Sequence, residues 1–594
     1  MNPRRLLFVI LAALTTLAIL PSHASAEETV LQLPIRTDGP KSLDPVQGST
    51  TYDNMACVQM YETLLVNQYA DPFKIEPLLL AEMPTTQDEG KTWRFRLKPD
   101  VKFHDNPCFE GGVGRTVTTD DVFYSIKRVV DKNNGLKNVW LLENTILGFD
   151  EYAEQQNASE SFDYDAPVAG FRKINDLEFE IELTKPVYRF LYILSMFQTS
   201  IVPREAVEYY GKDFSFNAVG TGPFMLRDPS DWVPKRSLTV YRNPDYHEVF
   251  YPARDQWSRE DMRNRLHRAA GQQVPFADRI EFTMFVEDQP MWLQFRAGNI
   301  GYVEVPAEYF EEAFDKRTKE LRPEFERQGI RAHSNELLDF IFRAFNMLDP
   351  VVGGYTPDKI ALRKAMAYAV DLQEISDVFY NNTVIVYDGP IPPQLDGHPE
   401  GHRVEGAPRG PDLDKARELL AEAGYPNGEG LPPIKFFANR GGNTPEQTEL
   451  MKRQLARIGV QLDPQLVDFS TLIEATNNRK APMFSFAWSS DYPDGENNLA
   501  LFYSPNKAPG SNHSNYERPE FDRLYEKILT MGPSPERTAI YEQMRDMVID
   551  DVPYIGSLAR ERFYLINPWL VNCKPTERYW GWFKYLDVDE SKRP

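Results

Sequence analysis

Phe484-Ser485-Phe486-Ala487-Trp488-Ser489-Ser490-Asp491-Tyr492-Pro493-Asp494-Gly495 reads as an apolar strand, begun at Met483 and ended at Trp488, that runs out into a polar loop. Pro at the second place and Gly at the fourth place of Tyr492–Gly495 fit a type I turn. Asp491 then stands just past a strand end. In open α/β sheets ligands bind there, because backbone ends and loop side chains converge beyond the carboxyl ends of the strands. Trp488 and Asp491, three residues apart, would offer a stacking wall and a fixed negative charge. Standing alone, such a pair more often means a core tryptophan and a turn-capping aspartate, so the surrounding chain has to decide.

Outward from this strand the chain alternates helix and strand from about Ala361 to Trp488, the pattern of a layered α/β lobe. Asp412 is placed to cap a helix whose Leu413, Ala416, Leu420 and Ala423 form one stripe, closed by Gly424 and Pro426. Thr444-Pro445-Glu446-Gln447 has the spelling of a capping box with Pro in the first turn, and Met451, Leu455 and Ile458 face one way before Gly459. A strand is expected over Val460 to Val467. Another helix, begun at Thr356-Pro357, carries Leu362, Ala365, Met366, Ala369 and Val370 on one face.

The first half reads differently. Thr29 to Arg36 is a short strand followed by a turn-rich loop, Thr37 to Pro45, and Tyr61 to Leu65 is a helix end feeding a strand. Trp93, Phe95 and Leu97 alternate with Arg94 and Arg96, and Phe179, Ile181 and Leu183 alternate with acids, the period of half-buried antiparallel strands. Between them Thr118-Thr119-Asp120-Asp121 caps a helix with Val122, Ile126, Val129 and Val130 on one side. This section is α+β.

With 594 residues the chain exceeds a single core, so two or more domains are expected. Arg4 and Arg5, the apolar run Leu6 to Leu20 and Ala24-Ser25-Ala26 form the three parts of a cleavable secretory leader, and the run is short for a membrane span. The mature chain is expected to begin at Glu27, in the periplasm or outside the cell. Loss of Arg4 and Arg5 takes the formal charge from −22 to −24. So acidic a surface repels phosphate backbones and anionic membranes, and nucleic acid is not expected as a partner. Cys57, Cys108 and Cys573 allow at most one disulfide with a thiol left over, and their spacing does not choose the pair.

Several stretches together resemble one family: Trp93 to Asp105 followed by Thr119-Asp120-Asp121-Val122, then Gly220-Thr221-Gly222-Pro223-Phe224, Arg242 to Tyr246, Leu362 to Asp371, Ala416 to Pro426, and Trp488-x-x-Asp491-Tyr492-Pro493-Asp494. Their order and spread resemble the family 5 extracellular solute-binding proteins, the dipeptide- and oligopeptide-binding subunits of ABC importers. The chain departs from that pattern at 106–118, a Gly-rich insertion carrying Arg115 that is expected to be a surface loop, at Gly495 where Pro is common, and at Asn299-Ile300-Gly301. The resemblance implies an α/β fold of two lobes, periplasmic-binding-protein-like of class II, with an extra α+β subdomain inserted in lobe I. The implied divisions are a signal peptide at 1–26, lobe I at 27–66, the inserted subdomain at 67–202, lobe I again at 203–341, lobe II at 342–556 and the end of lobe I at 557–594.

The same resemblance implies a monomeric periplasmic receptor that captures a peptide or other small solute and passes it to permease subunits. Asp491 would pair with the ligand's α-amino group, Phe486, Ala487 and Trp488 would bind its backbone as an added strand, and Trp488 would wall a side-chain pocket. Arg440, in the loop Asn439 to Asn443, would grip the ligand carboxylate with its planar fork. Binding of an oligosaccharide or another non-peptide solute, or ligand sensing without transport, are the alternatives. No enzyme, cofactor or metal is expected: His398-Pro399-Glu400-Gly401-His402 lacks the helix that would aim both imidazoles one way, His104-Asp105 belongs to the fold, and no Gly-x-Ser-x-Gly elbow occurs.

Overall fold

The computed structural model describes residues 28–37 and 39–594, so the leader expected at 1–26 lies outside the described residues. The strand read from Phe484 spans Met483–Ser489. It runs antiparallel to Asp339–Phe345 along its whole length, and parallel to Ile434–Asn439 only at its start, through Met483 and Phe484. Ile434–Asn439 in turn lies parallel to Leu462–Val467, with helix Thr444–Ala456 as the crossover that parallel strands require.

Both faces of this sheet are covered. Because strand side chains alternate, Phe340, Phe342 and Phe484 enter one core with Tyr525, Tyr541 and Met544 of the helices Pro519–Leu529 and Pro535–Asp551. Phe345 and Met483 enter the other, against Leu362 and Met366 of Pro357–Ala369 and Leu420 of Leu413–Glu422. The one charged residue inside the first of these helices' apolar stripe is fully buried: Arg363 donates to the carbonyls of Val352 (2.8 Å), Asp551 (2.7 Å) and Val552 (2.9 Å), and so satisfies the C-terminal end of Pro535–Asp551.

The remaining sheet of the first lobe runs in the order Val30–Ile35, Arg279–Met284, Ser237–Arg242, Phe224–Met225. The alternating strands read from Trp93 and Phe179 are Thr92–Arg96 and Glu178–Glu182, antiparallel, with Phe95 stacked on Phe179 at 4.9 Å. They form a separate sheet, yet Phe95, Phe282 and Trp582 belong to one continuous core, so the inserted segment and the C-terminal tail pack as parts of one body. Strand Tyr554–Ile566 joins the lobes. Its first half pairs with Asp339–Phe345 and Val384–Tyr387, its second half with Tyr302–Glu304 and Arg331–Glu336. Beside it the chain crosses again at Leu337 and Leu338, with the Leu337 N–H on the Arg560 carbonyl at 2.8 Å.

Local expectations fail at two places. Tyr492–Gly495 does not close a type I turn: the Asp494 N–H bonds the Tyr492 carbonyl at 2.9 Å, and the Asp494 carboxylate instead accepts the Glu496 N–H at 3.0 Å, opening the short helix Glu496–Leu499. Asp494 is fixed there by Arg537 at 2.6 Å and by the Tyr541 hydroxyl, contacts that local spelling does not contain. The second is Thr444, which is the first helical residue and not the cap; Asn443 precedes it, without a side-chain bond. Pro445 is tolerated at the second helical position as well as the first, because its missing N–H falls among those that lack an acceptor. In the 106–118 insertion Arg115 is used internally, by Asp121 (2.7 Å) and Glu205 (2.6 Å). All three cysteines are free, with Cys57 and Cys573 buried.

Candidate functional site

A cavity of about 240 Å³ lies where the lobes face each other. Ser489, Ser490, Asp491 and Tyr492 line it from the second lobe, and Glu62, Asn67, Tyr192, Tyr579 and Lys584 from the first. Neither a histidine nor a cysteine is among its lining residues.

The strand's exit fixes Asp491. The Ser490 N–H bonds the carbonyl of Leu338, one of the crossing residues, at 2.9 Å, and its hydroxyl bonds Asn498 at 2.6 Å. The Asn497 amide sits behind the next residue: its oxygen accepts from the Trp488 indole (2.8 Å) and the Asp491 N–H (3.3 Å), and its nitrogen donates to Asp491 Oδ2 (3.1 Å). Asp491 Oδ1 takes no hydrogen bond among the described residues, and the residue lines the cavity. The side chain is reachable by solvent through the cleft but enclosed by protein on most sides. That enclosure raises its pKa above the ordinary carboxylate value, with the Glu496 charge adding to the rise, against the lowering effects of the Asn497 hydrogen bond and the Arg189 charge. Such a carboxylate gains from a cationic partner.

The opposite wall is built on a buried charge cluster. The Glu62 carboxylate accepts from Tyr246 (2.6 Å), His247 (2.8 Å) and Thr221 (3.0 Å). Burial would raise its pKa, but His247, Lys584 and the tyrosine hydroxyl outweigh burial and bring it to about 2. Lys584 has the Tyr246 hydroxyl at 3.3 Å, and burial brings its pKa down to about 8 despite Glu62. Around the rim the lobes touch: Tyr192 stacks on Tyr492 at 5.6 Å with planes 7° apart, Arg189 approaches Glu496 to 3.8 Å, and the Tyr188 N–H bonds the Leu529 carbonyl at 3.2 Å.

Phe486, Ala487 and Trp488 line a neighbouring apolar pocket of about 160 Å³ with Phe469, Ile473 and His513. From Ser485 onward their strand has no partner on the side of Ile434–Asn439. The structure thus connects Trp488 to Asp491 through Asn497, but not Arg440, which lies exposed, pairs with Asp468 at 2.7 Å and lines neither cavity. Glu62, Tyr192 and Lys584 were not anticipated. An acid inside the apolar Tyr61-Glu62-Thr63-Leu64 and a lysine inside the aromatic run Tyr579 to Tyr585 were the available signals.

Residues 74–510 match the family model for bacterial extracellular solute-binding proteins, family 5. The chain is 24% identical over 530 residues to heme-binding protein A of Haemophilus influenzae, covering 87% of this chain and 85% of that one. It is 23% identical to a dipeptide-binding protein of Pseudomonas aeruginosa, over 88% of each. Its fold superposes on the structure of HbpA2 from Haemophilus parasuis with a TM-score of 0.73 at 20% identity, covering 94% of this chain and 100% of that one. The family match extends over most of the chain, across both lobes and the strand that leads to Asp491, and the protein belongs to the family 5 bacterial extracellular solute-binding proteins.

Proposed function

We propose that this protein is a periplasmic receptor that closes on a peptide-like solute, holds the solute's α-amino group on Asp491 and delivers it to an ABC-type permease. The observation that carries this reading is a carboxylate oxygen with no protein partner among the described residues, on the cavity wall between the lobes, at the end of a strand whose neighbouring edge is open. An open strand edge takes an extended chain by main-chain hydrogen bonds, and side-chain pockets beside it supply selectivity. The dipeptide-binding relative agrees with this. On this reading the lobes divide at Leu337–Leu338 and near Arg560, where strand Tyr554–Ile566 exchanges one set of partner strands for the other. Arg440 would serve the solute's carboxylate by exchanging Asp468 for it.

Titration calorimetry of Asp491→Asn against short peptides and their N-acetylated forms tests the amino clamp. Removing the partner of a desolvated cation costs roughly 3 to 5 kcal/mol, a hundredfold to a few thousandfold in affinity. The substitution should therefore weaken free peptides by that factor and leave acetylated ones little changed. Equal wild-type affinity for free and acetylated peptides would refute the clamp and favour a neutral or non-peptide solute. For Arg440, amidating the peptide's C-terminus should hurt wild type strongly and Arg440→Ala hardly further.

A further inference from the structure

A second, larger groove of about 860 Å³ lies on the first lobe, between segments 263–272, 327–331, 568–572 and 587–592. Arg263, Arg265, Arg268, Arg327, Arg331 and Lys592 line it, against a single acid, Asp587. This is the reverse of the chain's formal charge of −22. Elsewhere on the surface arginines are commonly paired, as Arg204 is with Asp165 and Glu208. Here Arg263, Arg265, Arg268 and Arg327 are exposed and make no ion pair or side-chain hydrogen bond among the described residues. Arg331 donates to the Leu570 carbonyl at 3.0 Å, Lys592 pairs with Asp589 at 2.6 Å, and the Asp587 carboxylate accepts the Val588 N–H at 2.8 Å. The backbone assists: Arg265, at φ 65, turns the chain between helix Arg259–Arg263 and the turn Leu266–Ala269, which sets three arginines on one groove.

We infer that this groove docks the receptor on the phosphate groups of an anionic phospholipid surface. Planar guanidinium forks match phosphate oxygens two at a time, and four of them stand unused. The groove is built from one lobe only and lies at the end of Arg331–Glu336 away from the crossing at Leu337, so docking leaves the lobes free to move. At physiological salt charges beyond about 8 Å are screened, so a lipid surface at the groove meets its basic groups, with Asp587 and Asp589 among them, and not the net negative charge of the whole chain. The choice of a lipid surface rests on the transport reading above, since a receptor that serves a permease works beside one.

Sedimentation of the full chain with vesicles of phosphatidylcholine, with and without phosphatidylglycerol, tests this. Wild type should sediment only with phosphatidylglycerol present, and less so as salt rises. At about fivefold per basic residue, Arg263→Ala/Arg265→Ala/Arg268→Ala should weaken partitioning about a hundredfold, and Arg327→Glu should weaken it further while the far-ultraviolet spectrum and melting stay those of wild type. No preference for phosphatidylglycerol, or a variant that sediments like wild type, overturns the proposal. Pyrophosphate binding by calorimetry without vesicle binding also overturns it, and makes the groove a site for a soluble anion. Vesicle binding that persists where the Asp491 experiment finds no amino clamp would separate failure of the solute reading from failure of the docking.

Discussion

His104 has the spelling of a reactive residue and the surroundings of a structural one. It is buried, its Nδ1 accepts the Gly220 N–H at 3.3 Å, and its Nε2 therefore carries the proton that faces the Gly222 carbonyl at 3.0 Å. Burial brings its pKa from 6.5 down to about 4. Between those values the unfolded chain binds a proton that the folded chain refuses, so stability present above pH 6.5 is lost as pH falls to 4. The loss is about 3 kcal/mol. The stability gap between wild type and His104→Gln, read from urea melts, should narrow by about that amount from pH 6.5 to 4, and a constant gap would show that the imidazole is charged in the fold. The place of Asp491 just past a strand end was legible because strand and acid are contiguous. Glu62 and Lys584 were not, since a buried ion's partners, here His247 and Tyr246, come from more than a hundred residues away.

At the scale of elements, periodicity located strands and helices well and local spelling placed the caps at Asp412 and Thr118, while the conformation around Asp494 depended on distant partners. Glycines divide in the same way. A Cβ on Gly220 would stand 2.2 Å from the Met60 carbonyl oxygen, and one on Gly222 2.6 Å from that of Gln59, so the Gly-Thr-Gly stretch lets a loop lie against the end of helix Thr51–Met60. Gly111 has open space around it and only a positive φ of 67°. Gly220→Ala should therefore cost about 3 kcal/mol or more through backbone displacement, and Gly111→Ala about 1 to 2 kcal/mol through strain alone. Thermal melts of the two variants check the order. Both glycines look alike in the sequence, because close approach is a property of two segments and not of one.

Across the whole molecule, the inserted segment does more than decorate the first lobe: its Tyr192 and Arg189 meet Tyr492 and Glu496 across the cleft. A stacked aromatic pair contributes about 0.5 to 1.5 kcal/mol beyond its buried area. Tyr192→Ala should accordingly shift the unliganded population toward the open form by about two- to twelvefold, with a larger radius of gyration by small-angle scattering and weaker binding of free and acetylated peptides alike. Discrimination between those peptides would instead assign Tyr192 to the solute. The two-lobed architecture was legible from the resemblance, but this contact was not, because it joins segments some three hundred residues apart that carry no shared local pattern.

The first lobe's core has a further consequence, for the order in which the chain can fold. Leu31 and Leu33 pack in one core with Trp569, Trp582 and Phe583, and Arg593 bonds Gln32 at 2.6 Å. The second lobe is assembled from a single run of chain between the crossings, so it holds nearly all its own contacts early. A growing chain delivered from its N-terminus therefore completes the later-encoded lobe first, while the earlier-encoded one waits, with apolar strands uncovered, for the last residues to arrive.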